Sequence, residues 1–333
     1  MGELAKRRSE TLARISELQR RLGAAETLAK DKACVFATGS FGRREASSHS
    51  DLDVFIVGKK SGKAGADGKQ GSVLGRLDEI CIKADLIETI RALGIPDFTD
   101  GGHYLTHFSV HEFTKTLGTP HDDVTNTFTA RLLLVLESCP ILESNVYREV
   151  LDEVVAEYWR DYERHKSDFM PAFLANDILR LWRTFCVNYE ARTKREPPEQ
   201  EAKGKLKNYK LKHSRLLTCY SALLYLLEVY KIQKTVTPSD VIAMILLTPT
   251  HRLEWLCDQR NLTHAQASIK RLLEHYERFL EVTNASEEYL VQSFLDKKIS
   301  RSHLEEARIF GDIVFEVLNQ IGDGSAFYRL LVV

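Results

Sequence analysis

Two aspartates one residue apart, Asp51 and Asp53, stand directly in front of the apolar run VFIV. On a strand, side chains two positions apart lie on the same face, so these two carboxylates would be neighbours. Carboxylates this close repel each other unless a cation or a proton is shared between them. The pair therefore predicts either a divalent metal site or a solvated strand face.

A glycine–serine pair, Gly39 and Ser40, precedes the aspartates in the segment GSFGRREASSHSDLDVFIV. Glycine lets a ligand approach the backbone closely, and a serine hydroxyl at the start of a helix can bond a phosphate oxygen. Magnesium prefers carboxylate and phosphate oxygens, and paired divalent ions stabilise both the attacking and the leaving oxygen of a phosphoryl displacement. Together these residue types indicate nucleotidyl transfer from a nucleoside triphosphate.

The same segment resembles the signature of the DNA polymerase β-like nucleotidyltransferase superfamily, in which a Gly-Ser pair is followed by Asp-hydrophobic-Asp on a strand. Its GRRE and SDLD details most resemble the transferase domain of signal-protein PII uridylyltransferases and their uncharacterised relatives. The resemblance is strong over residues 34–58 and continues more weakly towards residue 230.

The resemblance implies a role for each residue of this motif. The nucleoside triphosphate, with ATP among the candidates, would be bound by Gly39, Ser40, Arg43 and Ser50. Magnesium, or manganese in its place, would be held by the two catalytic carboxylates Asp51 and Asp53. The cofactor is therefore expected to be Mg²⁺ and the substrate an NTP.

The superfamily usually supplies a third carboxylate from a later strand, which is expected here within IPDFTDGGHYLTHFSV. The strand itself carries His103, Tyr104 and His107 instead of an acid. Asp100 is the best candidate for the third catalytic carboxylate and base, and Asp97 is the next.

The elements that must position these residues form a small mixed α/β unit followed by helices. An amphipathic helix over residues 3–31 precedes two strands, and the Gly- and Lys-rich stretch 58–72 predicts a loop without regular structure. From about residue 125 the apolar spacing is helical almost throughout. We therefore expect an α+β protein with a nucleotidyltransferase domain over 1–140 and an all-α domain over 141–333.

The composition narrows the class of protein. The 333 residues are 44% hydrophobic and carry a formal net charge of −1, so an anionic partner would need a local basic patch. No apolar run has the length of a membrane span, and the charged N-terminus is not a secretory signal. Six scattered cysteines lack metal or redox spacing and fit a reducing compartment. We expect a cytoplasmic protein with no membrane partner.

One such basic patch is the tract Lys203–Arg215, in which Tyr209 is interleaved with lysines. Two interpretations are open. The tract is either a solvated helix face or a phosphate-facing wall that contacts the nucleotide or an RNA acceptor.

The function predicted from the motif is transfer of an NMP from a Mg–NTP complex to an acceptor hydroxyl. The resemblance slightly favours a protein acceptor, and an RNA terminus or a small molecule stays open. The alternative, suggested by the missing third carboxylate, is a nucleotide-binding regulatory module of weak activity that signals through the helical domain.

Overall fold

The chain packs as two compact units, one over residues 3–160 and one from residue 161 onwards. The computed structural model describes residues 2–64, 70–102, 105–191, 193 and 196–332. The first unit is mixed and the second is helical, so the expected α+β class, a small mixed sheet followed by helices, is confirmed.

The first unit alternates helices with short strands. In chain order its elements are α1 (Glu3–Arg21), α2 (Gly23–Ala29), β1 (Ala33–Thr38), α3 (Gly39–Gly42), β2 (Asp53–Gly58), β3 (Lys60–Ala64), β4 (Gln70–Ser72), α4 (Arg76–Ala92), α5 (Thr99–Gly102), β5 (His107–Ser109), α6 (Val110–Lys115), α7 (His121–Val124), α8 (Thr127–Glu137), β6 (Cys139–Leu142) and α9 (Ser144–Tyr158).

The main sheet has the strand order β5-β2-β1-β6. The central strand β1 pairs antiparallel with β2 and β6, and β2 pairs parallel with β5. All six residues of β1 are buried, which explains its continuous apolar sequence ACVFAT, since both faces of the strand are covered.

The two faces of β1 pack against different groups of helices. Ala33, Val35 and Ala37 belong to a core cluster shared with α1, α2 and α4. Phe36 points the other way, and its ring centroid lies 5.7 Å from that of Phe55 and 6.1 Å from that of Tyr147 on α9. The strand that ends at the candidate site is therefore held firmly from both sides.

Three parts of this unit differ from the sequence-based expectation. The single helix expected over residues 3–31 is interrupted at Leu22, which separates α1 from α2. The stretch 58–72, expected to be an irregular loop, contains the antiparallel hairpin β3–β4, although residues 65–69 lie outside the described part. The strand β6 lies within the region expected to be helical, and it pairs with β1. In both segments, pairing with another strand outweighs a weak local preference for strand structure.

A fully buried ion pair joins two further helices of this unit. Arg131 on α8 donates to Asp122 through two nitrogens, with N–O distances of 2.9 and 2.5 Å, and neither side chain is exposed. Arg131 also donates to the Tyr158 hydroxyl at 3.1 Å and to the Phe113 carbonyl at 3.0 Å. Burial raises the pKa of Asp122, but the hydrogen bonds and charge of Arg131 outweigh it and leave the pKa below its ordinary value.

The second unit consists of helices. In chain order they are α10 (Ala172–Ala191), α11 (Pro198–Lys210), α12 (Leu216–Gln233), α13 (Pro238–Leu246), α14 (Pro249–Cys257), α15 (Gln266–Val282), α16 (Glu287–Leu295), α17 (Lys297–Gly322) and α18 (Ala326–Val332). A π-helical turn, Leu211–Arg215, joins α11 to α12. Within the described residues of both units, no helix is long and apolar enough to cross a membrane. All six cysteines are free thiols.

The π-helical turn places His213 in an aromatic core. Its ring stacks on Phe279 at 4.6 Å, and its Nδ1 atom bonds the Tyr209 carbonyl at 2.8 Å. Burial lowers the pKa of His213 to about 4, with smaller contributions from the charges of His275 and His303. The imidazole is therefore neutral in the folded protein at neutral pH.

The buried ion pair generates a prediction on stability. Asp122→Asn leaves the Arg131 charge buried without its carboxylate, so the free energy of unfolding should fall by about 3–5 kcal/mol, measured by urea denaturation. The matched control is Asp97→Asn, which breaks the exposed ion pair with Arg91 in the same unit and should change stability little. Equal stability losses in the two variants would contradict this assignment.

His213 generates a prediction on pH. In the unfolded chain this imidazole is protonated below about pH 6.5, whereas in the folded protein it is protonated only below about pH 4. The free energy of unfolding should therefore fall by about 3 kcal/mol as the pH decreases through this window. His213→Phe should remove most of that slope in denaturation curves taken between pH 7 and pH 4. The exposed His165→Gln variant should retain it. An unchanged slope in His213→Phe would show that another group carries the dependence.

Candidate functional site

The Gly39 turn and Asp53 lie side by side at one end of the sheet. Thr38, the last residue of β1, pairs with Asp53, the first residue of β2. Gly39 follows with a φ of +62°, which side-chain-bearing residues rarely adopt, and a Cβ atom placed on it would lie 2.8 Å from Asp53 Oδ2. Glycine at this position therefore leaves room beside the carboxylate.

The two aspartates flank a buried leucine, and only Asp53 belongs to the strand. β2 begins at Asp53, and Asp51 lies in the segment just before it. Leu52 between them is 1% exposed, whereas both aspartates are partly exposed. The alternation places the two carboxylates on the open side and the leucine in the core.

Ser50 closes the turn that leads into the aspartates. Its Oγ atom accepts the Ser47 amide N–H at 3.0 Å, and its own N–H donates to the Ser47 carbonyl at 3.1 Å. The structure thus shows a turn-forming contact for Ser50, and its expected contact with nucleotide stays a prediction. Ser40, the second residue of α3, is half-buried directly after Gly39.

A buried charge network lies behind the Gly39 turn. Arg43 forms ion pairs with Glu45 at 3.0 Å and with Glu137 at 2.8 Å, and these three side chains are at most 9% exposed. The other oxygen of Glu137 accepts the Gly39 amide N–H at 3.2 Å. Arg43 was expected to contact phosphate, and the structure shows it holding the carboxylate that fixes the turn.

The next glycine, Gly42, is packed closely against the backbone of Glu137, a member of this network. A Cβ atom on Gly42 would lie 1.9 Å from the Glu137 carbonyl oxygen and 2.9 Å from that of Ala37. No side chain fits there without moving backbone atoms. Both glycines of the GSFG sequence are therefore required by the local packing.

Helix α1 supports the loop between the Gly39 turn and the aspartates. Arg7 and Arg14 donate to carbonyl oxygens at the two ends of residues 45–47, over 3.1 and 2.6 Å, and the Thr11 hydroxyl accepts the amide between them at 2.9 Å. The Arg14 guanidinium also lies 4.6 Å from the centre of the Phe41 ring. These positions are spaced by four and three residues, so they share one face of the helix.

The third carboxylate is not identified. Asp97 forms a bidentate, exposed ion pair with Arg91, with both N–O distances at 2.8 Å. Asp100 lies in α5, but its side chain, like residues His103 and Tyr104, is outside the described part. Among the described residues, no group of three or more His, Cys, Asp and Glu side chains is placed to hold a metal ion.

His107 connects the hairpin to the sheet. Its Nε2 atom lies 2.9 Å from Ser72 Oγ, and its Nδ1 atom lies 3.2 Å from Glu79 Oε2. The sequence of contacts Ser72–His107–Glu79 resembles a nucleophilic triad. However, Ser72 Oγ also accepts the Leu74 amide N–H, and a Cβ atom on Gly58 would lie only 1.8 Å from it. The close packing around the hydroxyl favours a structural role, in which the chain of bonds fastens β4 to β5.

The donor atoms suit a hard divalent cation. Asp51 and Asp53 offer carboxylate oxygens, the ligand type that magnesium prefers, and the missing Cβ of Gly39 leaves space beside Asp53 Oδ2. Magnesium is commonly held by one or two carboxylates together with substrate phosphates. The described residues therefore fit a metal ion that is completed by its phosphate-bearing substrate.

The basic tract does not present its aromatic residue to a ligand. Tyr209 is 1% exposed, and its ring packs against Phe279 and Phe294 at 5.5 and 5.8 Å. Stacking of an RNA base on Tyr209 is excluded in this conformation. The lysines of the tract remain on the surface, where Lys205 pairs with Glu201 at 2.7 Å.

Two functional features escaped the sequence analysis. Glu137 ends the apolar run LLLVLE, and an acid at that position is typical of an exposed helix end. The polar face of α1 gave a usable signal, because Arg7, Thr11 and Arg14 are spaced for one helix face within an otherwise charged helix. Only the contacts show that both features converge on residues 39–47.

Gly39 provides the test of this geometry. Gly39→Ala combines a strained φ with a methyl group against Asp53 Oδ2, so we expect a loss of about 1–2 kcal/mol in the free energy of unfolding and weaker binding of Mg–NTP by calorimetry. The control, Gly71→Ala, lies in β4 without a positive φ and has nothing within 4 Å of the added Cβ, so both quantities should stay close to wild type. Wild-type nucleotide affinity in Gly39→Ala would contradict the proposed role of the turn.

Comparison with known protein families gives one match. Residues 18–100 match the family model described as nucleotidyltransferase domain, a span that runs from α1 through both aspartates to α5. Comparisons of the chain with curated proteins and with solved structures give no match. The similarity supports nucleotidyl transfer as the general activity of this region and leaves the acceptor undefined.

Proposed function

We propose that the protein transfers an NMP from a Mg–NTP complex to an acceptor hydroxyl. The observation that carries this proposal is the position of the Gly39 turn beside Asp53, within the span that matches the nucleotidyltransferase domain. The turn would receive the triphosphate, with Ser40 and Ser50 as further nucleotide contacts. Asp51 and Asp53 would hold the metal ion.

The main contribution of this chain's own residues is to position the triphosphate and the metal ion. When bound, magnesium would neutralise the charge that develops on the phosphate oxygens. Gly39 lets the triphosphate approach the backbone, and Glu137 and Arg43 keep that turn in one conformation. Asp100 remains the candidate for a third carboxylate and for the base that accepts the proton of the attacking hydroxyl.

The finer assignments have weaker support. A protein acceptor follows only from the motif resemblance to PII uridylyltransferases, and the choice of ATP or another NTP is open. Six free cysteines support a reducing compartment such as the cytoplasm.

A second function follows if Asp100, whose side chain lies outside the described part, does not complete the carboxylate cluster. No group of three or more His, Cys, Asp and Glu side chains is placed around a metal in the described ranges. With two carboxylates alone, the site could bind Mg–NTP and turn it over slowly. The protein would then act as a nucleotide-binding regulatory module.

The two functions are separated by one pair of assays. The full chain is incubated with labelled NTPs, Mg²⁺ and candidate acceptors, and nucleotide binding is measured separately by calorimetry. Asp51→Asn/Asp53→Asn should lower transfer by at least about 100-fold, because both proposed metal ligands lose their charge. Asp152→Asn, which changes an exposed carboxylate on α9 of the same unit, should leave transfer unchanged.

Each outcome decides between the alternatives. Label transfer that depends on Asp51 and Asp53 supports the enzyme. Mg–NTP binding that depends on the two aspartates, without pyrophosphate release for any acceptor, supports the regulatory module. Transfer that persists in the double variant would remove these aspartates from the mechanism.

A further inference from the structure

The first turns of α17 line an open groove in the helical unit, here called the α17 groove. Its narrower part beside α11 has a volume of about 270 Å³ and its wider part about 760 Å³. These volumes are in the range of sites for small ligands. The groove is lined by Lys205, Lys297, Lys298, Ser300, Arg301, Ser302, Leu304 and Glu305.

The groove carries cations that the protein does not neutralise. Lys297, Lys298 and Arg301 are exposed, and within the described residues none of them forms an ion pair. The acid that lines the groove, Glu305, is held by Arg308 through bonds of 2.6 and 3.1 Å, which keep the pKa of Glu305 below its ordinary value. Glu305 is an ionised carboxylate, and the charge of Arg301 also helps to lower its pKa, so it offsets part of the groove's positive charge.

A second carboxylate lies close to this positive charge. Asp296 caps α17 by accepting the amide N–H groups of Lys298 and Ile299 at 2.7 and 3.0 Å. These backbone bonds lower its pKa, so Asp296 is ionised at neutral pH. Three unpaired cations against the two carboxylates of Asp296 and Glu305 leave an excess of positive charge along the groove.

A hydroxyl without a protein partner lines the groove. Ser300 lines the narrower part and is 2% exposed. Its side chain makes no hydrogen bond within the described ranges, although its backbone N–H donates to the Asp296 carbonyl at 2.9 Å. Because this hydroxyl lines the groove without a protein partner, it is available to hydrogen-bond a ligand oxygen.

The lining chemistry selects phosphate rather than a base or a lipid chain. Leu304 is the one apolar side chain among the lining residues, and no aromatic ring is among them. Stacking of bases, the usual second component of single-strand binding, is therefore not provided. Lysine, arginine and serine donors are the groups that bind phosphate oxygens.

We propose that the α17 groove binds ligands with adjacent phosphate groups, held by Lys297, Lys298, Arg301 and the Ser300 hydroxyl. Such groups occur in the backbone of a single-stranded nucleic acid and in a free polyphosphate. The proposal is independent of the transfer reaction, because the groove lies wholly in the helical unit. It also assigns phosphate binding to α17 rather than to the tract Lys203–Arg215, of which only Lys205 lines the groove.

The test measures binding of the full chain to three probes, namely a short labelled single-stranded RNA, inorganic tripolyphosphate and orthophosphate. Lys297→Ser/Arg301→Ser should weaken binding of RNA or tripolyphosphate about ten-fold or more. If RNA is the ligand, the salt dependence should lose about 1.4 from its logarithmic slope, about 0.7 for each phosphate contact. Ser300→Ala should weaken binding a few-fold without changing this slope, since no charge is lost.

The matched control removes two exposed lysines of the basic tract, Lys207→Ser/Lys212→Ser, which lie outside the groove lining. Thermal melting checks that all variants are folded. Groove-dependent binding of RNA alone identifies a nucleic-acid backbone, and groove-dependent binding of tripolyphosphate identifies a free polyphosphate. Wild-type affinity in the groove variant, or an equal loss in the control, would overturn the proposal.

The experiment is separable from the test of the transfer reaction. Asp51→Asn/Asp53→Asn should bind tripolyphosphate and RNA in the groove as the wild type does. Phosphate binding that disappears in this variant but persists in the groove variant would place the phosphate site at the aspartates alone. That result would overturn the proposal for the α17 groove.

Discussion

The conformation of the Gly39 turn depends on a buried carboxylate that is itself neutralised by a buried arginine. Glu137 accepts the Gly39 amide with one oxygen and binds Arg43 with the other. A buried carboxylate is costly unless it is paired and hydrogen-bonded, and here both conditions are met. The same pair therefore stabilises the core and fixes the one backbone conformation that leaves space beside Asp53. Stability and the proposed activity share this interaction.

The loop that carries the candidate ligands is supported by rigid elements on several sides. Strand β1 is packed between two groups of helices, and α1 holds residues 45–47 through two arginines and a threonine. Sites of this kind place reactive groups on a short loop while the scaffold restricts its motion. The polar face of α1 thus contributes through the loop that it holds.

The sequence was informative where the signal is local and uninformative where it depends on distant partners. The Gly-Ser pair and the spaced aspartates lie within a few residues of each other, so their relation could be predicted, and the α+β class followed from the change in periodicity. β6 could not be predicted, because a four-residue apolar run fits a strand and a helix end equally. The hairpin 60–72 was missed because its glycines and lysines disfavour strands until another strand pairs with them. Glu137 was missed because its partners are fixed by tertiary structure, 98 residues from Gly39.

The separation of Glu137 from Gly39 by 98 residues affects when the site can form during synthesis of the chain. Every proposed metal ligand except the third carboxylate has been synthesised by residue 58, yet the carboxylate that fixes the turn follows much later in the chain. Contacts between distant segments are late to form, because their loop must close before they stabilise anything. On the ribosome, the nascent chain therefore carries the motif in an unrestrained form until α8 has emerged from the exit tunnel. The proposed competence to bind nucleotide would then arise together with the closure of the sheet by β6, so an incomplete chain would have the proposed ligands without the site.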